Sequence, residues 1–438
     1  MRPFRILLFS LALAGCASIP YEKLAARLGR RDFEGLARLV GESEKDYGKQ
    51  SRLLYHFDHA MALHLKGDWS ASNQDVAAAG ELIDELYTKS LSGEALAFLS
   101  NDMALPYAGE NFQRVGIHVL GLLNYALLGL KDEALVEAKK AEQRLKQTQD
   151  AVGGGKVAYS EDALARYLSA LLYEEAGGQE RWDAYLDYKH SLRALEAYHR
   201  DYGQPLPRRI GVDLQRLAKG LGEAGEAKEW EQRFGPFEGA TLKETASSRC
   251  EVVVLLFEGL APAKVSEGVQ LPIVLKDGTR QFFTAAFPAY RRRDEEPASA
   301  WVLVGEQREE LEVFQDWAAI AVRDLKDRVG LLTLKAIARA TAKFQAARAI
   351  QQEARKAGQG AELLAFLGTN LYSLASEQAD TRSWRTLPAR VQLARLDLPP
   401  GRHRVSLELR QGGAQEMADL GELDLKAGDK ALLRYAAY

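Results

Sequence analysis

The chain has 438 residues, a length typical of two or three domains. Its 58 Lys and Arg residues against 61 Asp and Glu residues give a formal charge of -3, which gives no general bias toward nucleic acid or anionic lipid. Hydrophobic residues make up 47% and charged residues 27%, which excludes a disordered chain, and two cysteines exclude a scaffold held by disulfides. We therefore expect globular domains and no nucleic-acid partner.

The N-terminus has the pattern of a secretory signal. Arg2 and Arg5 precede a mostly apolar run over residues 6–14, and Gly15-Cys16 follows. A basic start, a short apolar segment and small residues at its end are typical of a cleaved signal peptide. The run is too short to span a bilayer, which takes about 20 apolar residues. We expect residues 1–15 to be a signal peptide.

The tetrad Leu13-Ala14-Gly15-Cys16 resembles the lipobox of bacterial lipoproteins. The resemblance implies cleavage before Cys16 and attachment of three acyl chains, such as palmitate, to this new N-terminus. Each buried methylene contributes about 0.8 kcal/mol, so several chains hold a protein to a membrane stably. Ala17-Ser18 contains no Asp, which by the same resemblance implies delivery to the outer membrane. An ordinary secretory signal with an incidental Cys16 is the alternative, and Cys250 is expected to be a core residue.

Residues 16–240 are predicted to form a helical domain, because the segment is rich in Ala, Leu, Glu and Lys. In two windows a glycine is followed by small residues five and twelve positions later: Gly67, Ser72 and Ala79, and Gly129, Ala134 and Ala141. This spacing predicts helix hairpins and resembles tetratricopeptide repeats. A solenoid of this kind presents a concave surface to another polypeptide. A generic α-helical bundle is the alternative.

The segment after Gly129 is amphipathic. Its predicted buried face carries Ala134, Ala138, Ala141 and Leu145, and its predicted solvent face carries Glu137, Lys139, Lys140 and Arg144.

Two glycine-rich motifs lack the context that nucleotide binding requires. Residues Gly220–Gly225 match GxGxxG, but a dinucleotide site needs a preceding strand, and Val212–Lys219 has a helical pattern. We interpret these glycines as a turn between helices. Gly153–Lys156 lacks the remaining residues of a phosphate-binding loop, so we expect a plain loop there.

Three histidines near Asp58 raise the possibility of a metal site. His56 and His59 could share a helix face, but the glutamate of HExxH is missing and His64 is out of phase with them. We expect solvated or packing roles for these side chains, with no metal and no cofactor.

Residues 248–438 are predicted to be a β-rich domain with a helical insertion at about 315–378, after a polar linker over 241–248. The predicted strands are Val252–Phe257, Val269–Leu275, Phe282–Phe287, Trp301–Val304, Val391–Leu396, Val405–Leu409, Leu423–Leu425 and Leu432–Leu433. Asp277-Gly278 is a hairpin signal. The fold class is therefore predicted as α+β, a helical repeat solenoid followed by an antiparallel β-sandwich. Independent small β-domains are the alternative.

Five residues in this half are candidate partner contacts. Lys335, Arg339 and Lys343 form a basic stripe that is either a solvated face or a contact for an acidic partner or lipid headgroups. In the stretch 380–388, Trp384 could bury its ring while Arg382 and Arg385 bond Asp380 or helix-end carbonyls. Alternatively, these three residues anchor a partner. The candidates are Arg339, Lys343, Arg382, Trp384 and Arg385.

Several stretches together resemble a family of bacterial outer-membrane lipoproteins with a helical repeat half and a β-rich half. They are residues 111–115, 123–127 with Ala134 and Glu137, 257–262, 338–340 with Lys343, and Asp-Thr-Arg-Ser-Trp-Arg-Thr-Leu-Pro at 380–388. Gln113 stands where the family pattern has an acidic residue. The resemblance implies architecture and location, and it carries no enzymatic activity.

We therefore expect a periplasm-facing outer-membrane lipoprotein that acts as a protein-interaction scaffold or as an assembly or regulatory factor of the cell envelope. The sequence has no GxSxG, no HExxH and no spaced Cys/His ligand set, so we predict no enzyme and no catalytic residues. Two alternatives stay open. An envelope-polymer hydrolase could use paired carboxylates, and a carrier of lipids or small ligands would need a deep apolar cavity.

Overall fold

A computed structural model describes residues 19–92, 103, 105–151, 159–236, 248–274, 280–291, 297–356, 358, 360–361 and 379–438. The fold is α+β, with helices in the N-terminal half and mainly antiparallel sheets in the C-terminal half. The signal peptide, Cys16, the loop Gly153–Lys156 and the hairpin turn Asp277-Gly278 lie outside the described residues.

The N-terminal half is a succession of helices that pack mainly against their neighbours in the chain. They are α1 (Tyr21–Gly29), α2 (Phe33–Glu42), α3 (Glu44–Tyr47), α4 (Arg52–Lys66), α5 (Trp69–Ser92), α6 (Asn111–Leu127), α7 (Lys131–Ala151), α8 (Ala163–Ala176), α9 (Glu180–Tyr202), α10 (Arg208–Leu221) and α11 (Ala224–Phe234). From α4 onward they pack as hairpins, α4 with α5, α6 with α7, α8 with α9, and α10 with α11.

The two predicted hairpin turns are confirmed. Gly67 joins α4 to α5 at φ 92° and Gly129 joins α6 to α7 at φ 74°, a backbone conformation that favours glycine. The small residues that follow each turn, Ser72, Ala79, Ala134 and Ala141, are buried. The GxGxxG stretch is also a helix–helix turn, since α10 ends at Leu221 and α11 begins at Ala224.

The solvent face predicted for α7 is wrong at two positions. Glu137 and Arg144 are buried, and each has a partner on another helix. Glu137 Oε2 lies 2.7 Å from His118 Nδ1, and Arg144 Nη2 donates to Asp84 Oδ2 at 3.0 Å. Burial of a charge is tolerated where an opposite charge or a hydrogen bond compensates it.

The C-terminal half contains ten described strands and one long helix. They are β1 (Cys250–Leu260), β2 (Ala263–Val274), β3 (Arg280–Arg291), β4 (Ser299–Val304), β5 (Gln307–Glu310), β6 (Glu312–Asp316), α12 (Trp317–Lys356), β7 (Pro388–Leu398), β8 (Gly401–Gln411), β9 (Ala414–Leu425) and β10 (Lys430–Ala437). The strand orders are β10-β1-β7-β6, β5-β4-β8-β9 and the pair β2-β3. The first and last strands, β1 and β10, pair in parallel, whereas the other pairs are antiparallel.

Strand β1 is buried on both faces, which explains its continuous apolar run. Val252, Val254 and Leu256 belong to a core that includes residues of β4, β7 and β8. Val253 and Leu255 face the other way, into a core that includes residues of the N-terminal helices. Cys250 is buried in the first of these cores, as predicted. The sheet that contains β1 therefore lies between the helices and the second four-stranded sheet.

Candidate functional site

The helices α4, α6, α8 and α10 supply the surface that covers the β1 sheet. We call the contact between these helices and the C-terminal half the helix–sheet interface. Ring pairs mark it along its length: Phe57 with Trp384 at 4.8 Å between centroids, His64 with Phe257 at 5.4 Å, Phe112 with Trp317 at 6.2 Å, and Tyr167 with Phe314 at 4.5 Å. One side of the N-terminal helices is thus covered by the chain's own C-terminal half.

The segment 380–388 belongs to this interface. The Trp384 side chain is 1% exposed, and its Nε1 donates to Thr386 Oγ1 at 2.9 Å. Arg382 donates to Asp380 at 2.7 Å and to the carbonyl oxygens of Gln50 and Leu105. The burial of the Trp384 ring and the bond from Arg382 to Asp380 agree with the first sequence interpretation, which had Arg382 and Arg385 both bonding Asp380 or helix-end carbonyls. Arg385 instead contacts the Tyr21 ring. The alternative expectation, that Arg382 and Trp384 contact a partner, is corrected, because both side chains are enclosed by their own chain.

The other three candidate contacts differ in exposure. The Arg385 guanidinium lies 4.0 Å from the Tyr21 ring centroid and is half-buried. Arg339 is only 6% exposed, so it does not form a solvated stripe with the exposed Lys335. The side chain of Lys343 lies outside the described residues. Among the four candidates whose side chains the structure describes, Arg339, Arg382 and Trp384 are buried, so these four do not form one exposed surface.

The most highly charged part of the interface is a group of seven side chains that we call the buried ion cluster. Its members come from α8, α10, β1, β7 and β10: Glu174, Arg209, Asp213, Arg216, Glu251, Arg395 and Lys430. Arg395 is at its centre, since its guanidinium donates to Glu174 at 2.9 Å, Asp213 at 3.1 Å and Glu251 at 2.6 Å. One strand residue therefore joins two helices and a neighbouring strand.

The carboxylates of the cluster are held in the ionised form. Burial alone would raise the pKa of Asp213, but Arg209, Arg395 and Arg216 outweigh it and keep this pKa well below its usual range. Burial opposes ionisation of Glu174 as well, and Arg216 and Arg395 again outweigh it, so that the pKa is lowered. Enclosed carboxylates paired in this way are poor proton donors at neutral pH. The arrangement is suited to fixing the two halves against each other, at the cost of desolvating several charges.

For two further carboxylates of the interface, the pKa is raised instead of lowered. Burial raises the pKa of Asp58 to about 6, even though Thr386 and Tyr47 hydrogen-bond it. Burial likewise raises the pKa of Asp162 to about 6, and Tyr159 donates to this carboxylate at 2.5 Å. These two groups therefore change charge near pH 6, within the interface.

Two of the three histidines near Asp58 share one carboxylate, and the third has a different partner. His56 Nδ1 and His59 Nδ1 each lie 2.7 Å from an oxygen of Asp75 on α5. His64 is buried, with its Nδ1 at 2.6 Å from Asn124 Oδ1, and burial lowers its pKa to about 3. Within the described ranges, no group of three or more His, Cys, Asp or Glu side chains is arranged to hold a metal ion.

A groove of about 240 Å³, which we call the outer groove, lies among α7, α8 and α9, and no strand residue lines it. Arg166 lies within it, at 3.0 Å from Glu142, 2.8 Å from Glu161 and 3.1 Å from Asp187. Its lining carries more carboxylates than cations, and Leu186 at its edge is 51% exposed. The outer groove is therefore an accessible surface of acidic and apolar character.

Sequence reasoning missed the buried ion cluster. A signal was present in β7, where Arg395 continues the alternation of Val391 and Leu393 and therefore faces the same side of the strand. An arginine in phase with buried residues requires acidic partners. Glu174 and Asp213 could not be assigned as those partners, because they lie on helices about two hundred residues away in the chain.

None of the described helices combines the length and the apolar character that crossing a bilayer requires. The chain matches no protein-family model and no curated protein sequence.

Proposed function

We propose that the protein is a lipid-anchored outer-membrane lipoprotein, facing the periplasm, that acts as a protein-interaction scaffold or as an assembly or regulatory factor of a cell-envelope system. In this proposal its N-terminal half is a tetratricopeptide-like solenoid and its C-terminal half is a β-sandwich. The lipobox-like tetrad ending at Cys16 supports the anchor.

The observation that carries the scaffold proposal is the division of the helical surface. One side of the N-terminal helices is buried in the helix–sheet interface, whereas the outer groove on α7, α8 and α9 is open to solvent. On α9, Trp182 and Leu186 are one helical turn apart and are 38% and 51% exposed. Tryptophan is enriched among residues that dominate binding energies, and the neighbouring carboxylates complement basic side chains. The partner we propose is an envelope protein with a basic and apolar surface.

Site-specific photo-crosslinking in intact cells tests the scaffold. A photoreactive amino acid at position 186 is expected to give a discrete adduct with an envelope protein, and Trp182→Ala is expected to reduce its yield. The matched control is the same amino acid at position 417, since Met417 is comparably exposed on β9. Equal adducts at both positions, or no adduct at 186, would contradict the proposal.

The anchor is tested separately by Cys16→Ser. We expect this variant to leave the membrane fraction, because no acyl chain can be attached to serine in place of the thiol. Retention at the wild-type level would remove the basis for the location.

A further inference from the structure

A second groove opens beside the buried ion cluster. It has a volume of about 280 Å³ and lies between the α6–α7 turn, α8 and the strands β1 and β10. Its lining is mainly apolar and includes Ala126, Leu432 and the α8 residues Leu168, Leu171 and Leu172. Its charged members are Lys131, Glu175 and Lys430. Lys131 and Glu175 form an ion pair with each other at 2.6 Å. We call this the Lys430 groove.

Lys430 belongs to both the groove and the ion cluster. Its Nζ lies 3.1 Å from Glu251 Oε2 and 3.6 Å from Glu174 Oε1, so it is the point at which the cluster meets the groove. The same nitrogen is buried and makes no hydrogen bond of acceptable geometry with any described residue. An ammonium group has three donors, so it retains capacity for a further acceptor.

The cluster carries more positive than negative charge. Its ion pairs join four cations, Arg209, Arg216, Arg395 and Lys430, to three carboxylates, Glu174, Asp213 and Glu251. Each of the four cations contacts a carboxylate of the cluster, and four minus three leaves these seven side chains with a net charge of +1. Outside this group, Glu309 and Glu312 also act electrostatically on Arg209. Buried charges are normally paired, because desolvating an unpaired ion is costly.

We propose that the Lys430 groove binds a medium-chain fatty carboxylate. The carboxylate accepts hydrogen bonds from Lys430 at the polar end of the groove, and the alkyl chain covers the leucines of α8 and Leu432 of β10. The volume is near the lower end of the range for small-ligand sites, roughly 300–1,000 Å³, which favours a chain of moderate length over a whole phospholipid. The ion pair with Lys430 holds the carboxylate end of the ligand, and burial of apolar surface holds its alkyl chain.

Photolabelling of the full-length protein in isolated membranes tests the proposal. The probe is a dodecanoic acid that carries a diazirine on its chain, and labelled peptides are located by mass spectrometry. We expect label on α8 and β10, and we expect excess dodecanoate to suppress it while dodecanol does so far less. In Lys430→Met we expect dodecanoate and dodecanol to compete equally well, because the positive charge that favours the carboxylate over the alcohol has been removed.

A matched pair of variants separates occupation of the groove from general effects on folding. Ala126→Phe fills the Lys430 groove, whereas Ala138→Phe places the same ring in the outer groove, and both alanines are partly exposed on helices. Ala126→Phe is expected to lower labelling about tenfold, the effect of excluding about two methylene groups. Ala138→Phe is expected to leave it unchanged. Absence of label in the wild type, equal label in Ala126→Phe, or equal competition by dodecanol in the wild type would overturn the proposal.

Discussion

The indole of Trp384 stacks on the ring of Phe57, with centroids 4.8 Å apart and planes inclined by 26°. The two residues are 327 positions apart in the chain, and each is buried. Trp384 donates to Thr386, and the Thr386 hydroxyl in turn donates to Asp58 at 2.7 Å. The stretch that is most distinctive in the sequence is therefore held by helix α4, through both apolar and polar contacts.

Removing the indole should loosen the helix–sheet interface. Trp384→Ala is expected to lower the free energy of unfolding by about 3–5 kcal/mol, because it deletes a buried aromatic side chain and leaves a cavity. Trp384→Phe should cost less, since it keeps a ring against Phe57. Urea unfolding followed by circular dichroism measures both. Trp182→Ala is the control, because Trp182 is partly exposed. An equal loss for Trp182→Ala and Trp384→Ala would contradict this account of the interface.

Asp58 should make stability depend on pH. Its pKa is about 6 in the folded protein because of burial, with Thr386, Tyr47 and Arg385 acting in the opposite direction. The unfolded pKa is near 3.9, so the stability contributed by the protonated form is present below about pH 4 and lost as the pH rises through 6. Asp58→Asn cannot ionise. The free energy of unfolding of Asp58→Asn, relative to that of the wild type, should therefore rise by about 3 kcal/mol between pH 4 and pH 7.

Denaturant unfolding of the two proteins at several pH values measures this gain. Asp162 titrates in the same range but is present in both proteins, so its contribution cancels in the difference. A difference between wild type and Asp58→Asn that stays constant from pH 4 to pH 7 would show that Asp58 does not titrate in this way.

Arg395 should be the most sensitive member of the buried ion cluster. Arg395→Leu leaves Glu174, Asp213 and Glu251 without their shared partner, and breaking a buried ion pair from one side typically costs about 3–5 kcal/mol. Arg404→Leu is the control, since Arg404 pairs with Asp419 at the exposed surface and should change stability little. Thermal unfolding distinguishes the two. Similar melting temperatures for both variants would mean that the cluster does not contribute as inferred.

Local signals predicted much of the fold. Gly67 and Gly129 with the small residues after them predicted helix hairpins, because a tight turn and close helix approach both require them. The continuous apolar run Val252–Phe257 predicted a strand, which is β1. Such features depend on residues that are neighbours in the chain.

Contacts between residues that are far apart in the chain could not be predicted from such local patterns. The parallel pairing of β1 with β10 joins strands separated by well over a hundred residues, and no local pattern specifies it. The burial of Glu137, Arg144 and Arg339 was missed for a similar reason, since charged residues on a helix are normally solvated. The candidate partner contacts Arg382 and Trp384 were misplaced because a distant part of the chain encloses them.

The N-terminal helices pack on one side against the β-rich half of the same chain. Azidophenylalanine at position 167 tests it most directly, because the Tyr167 ring lies 4.5 Å from that of Phe314 on β6. Irradiation of the full-length protein in membranes, followed by mass spectrometry, should join a peptide of α8 to a peptide containing Phe314 within one chain. A crosslink from position 167 to a different polypeptide, with no internal product, would contradict the account.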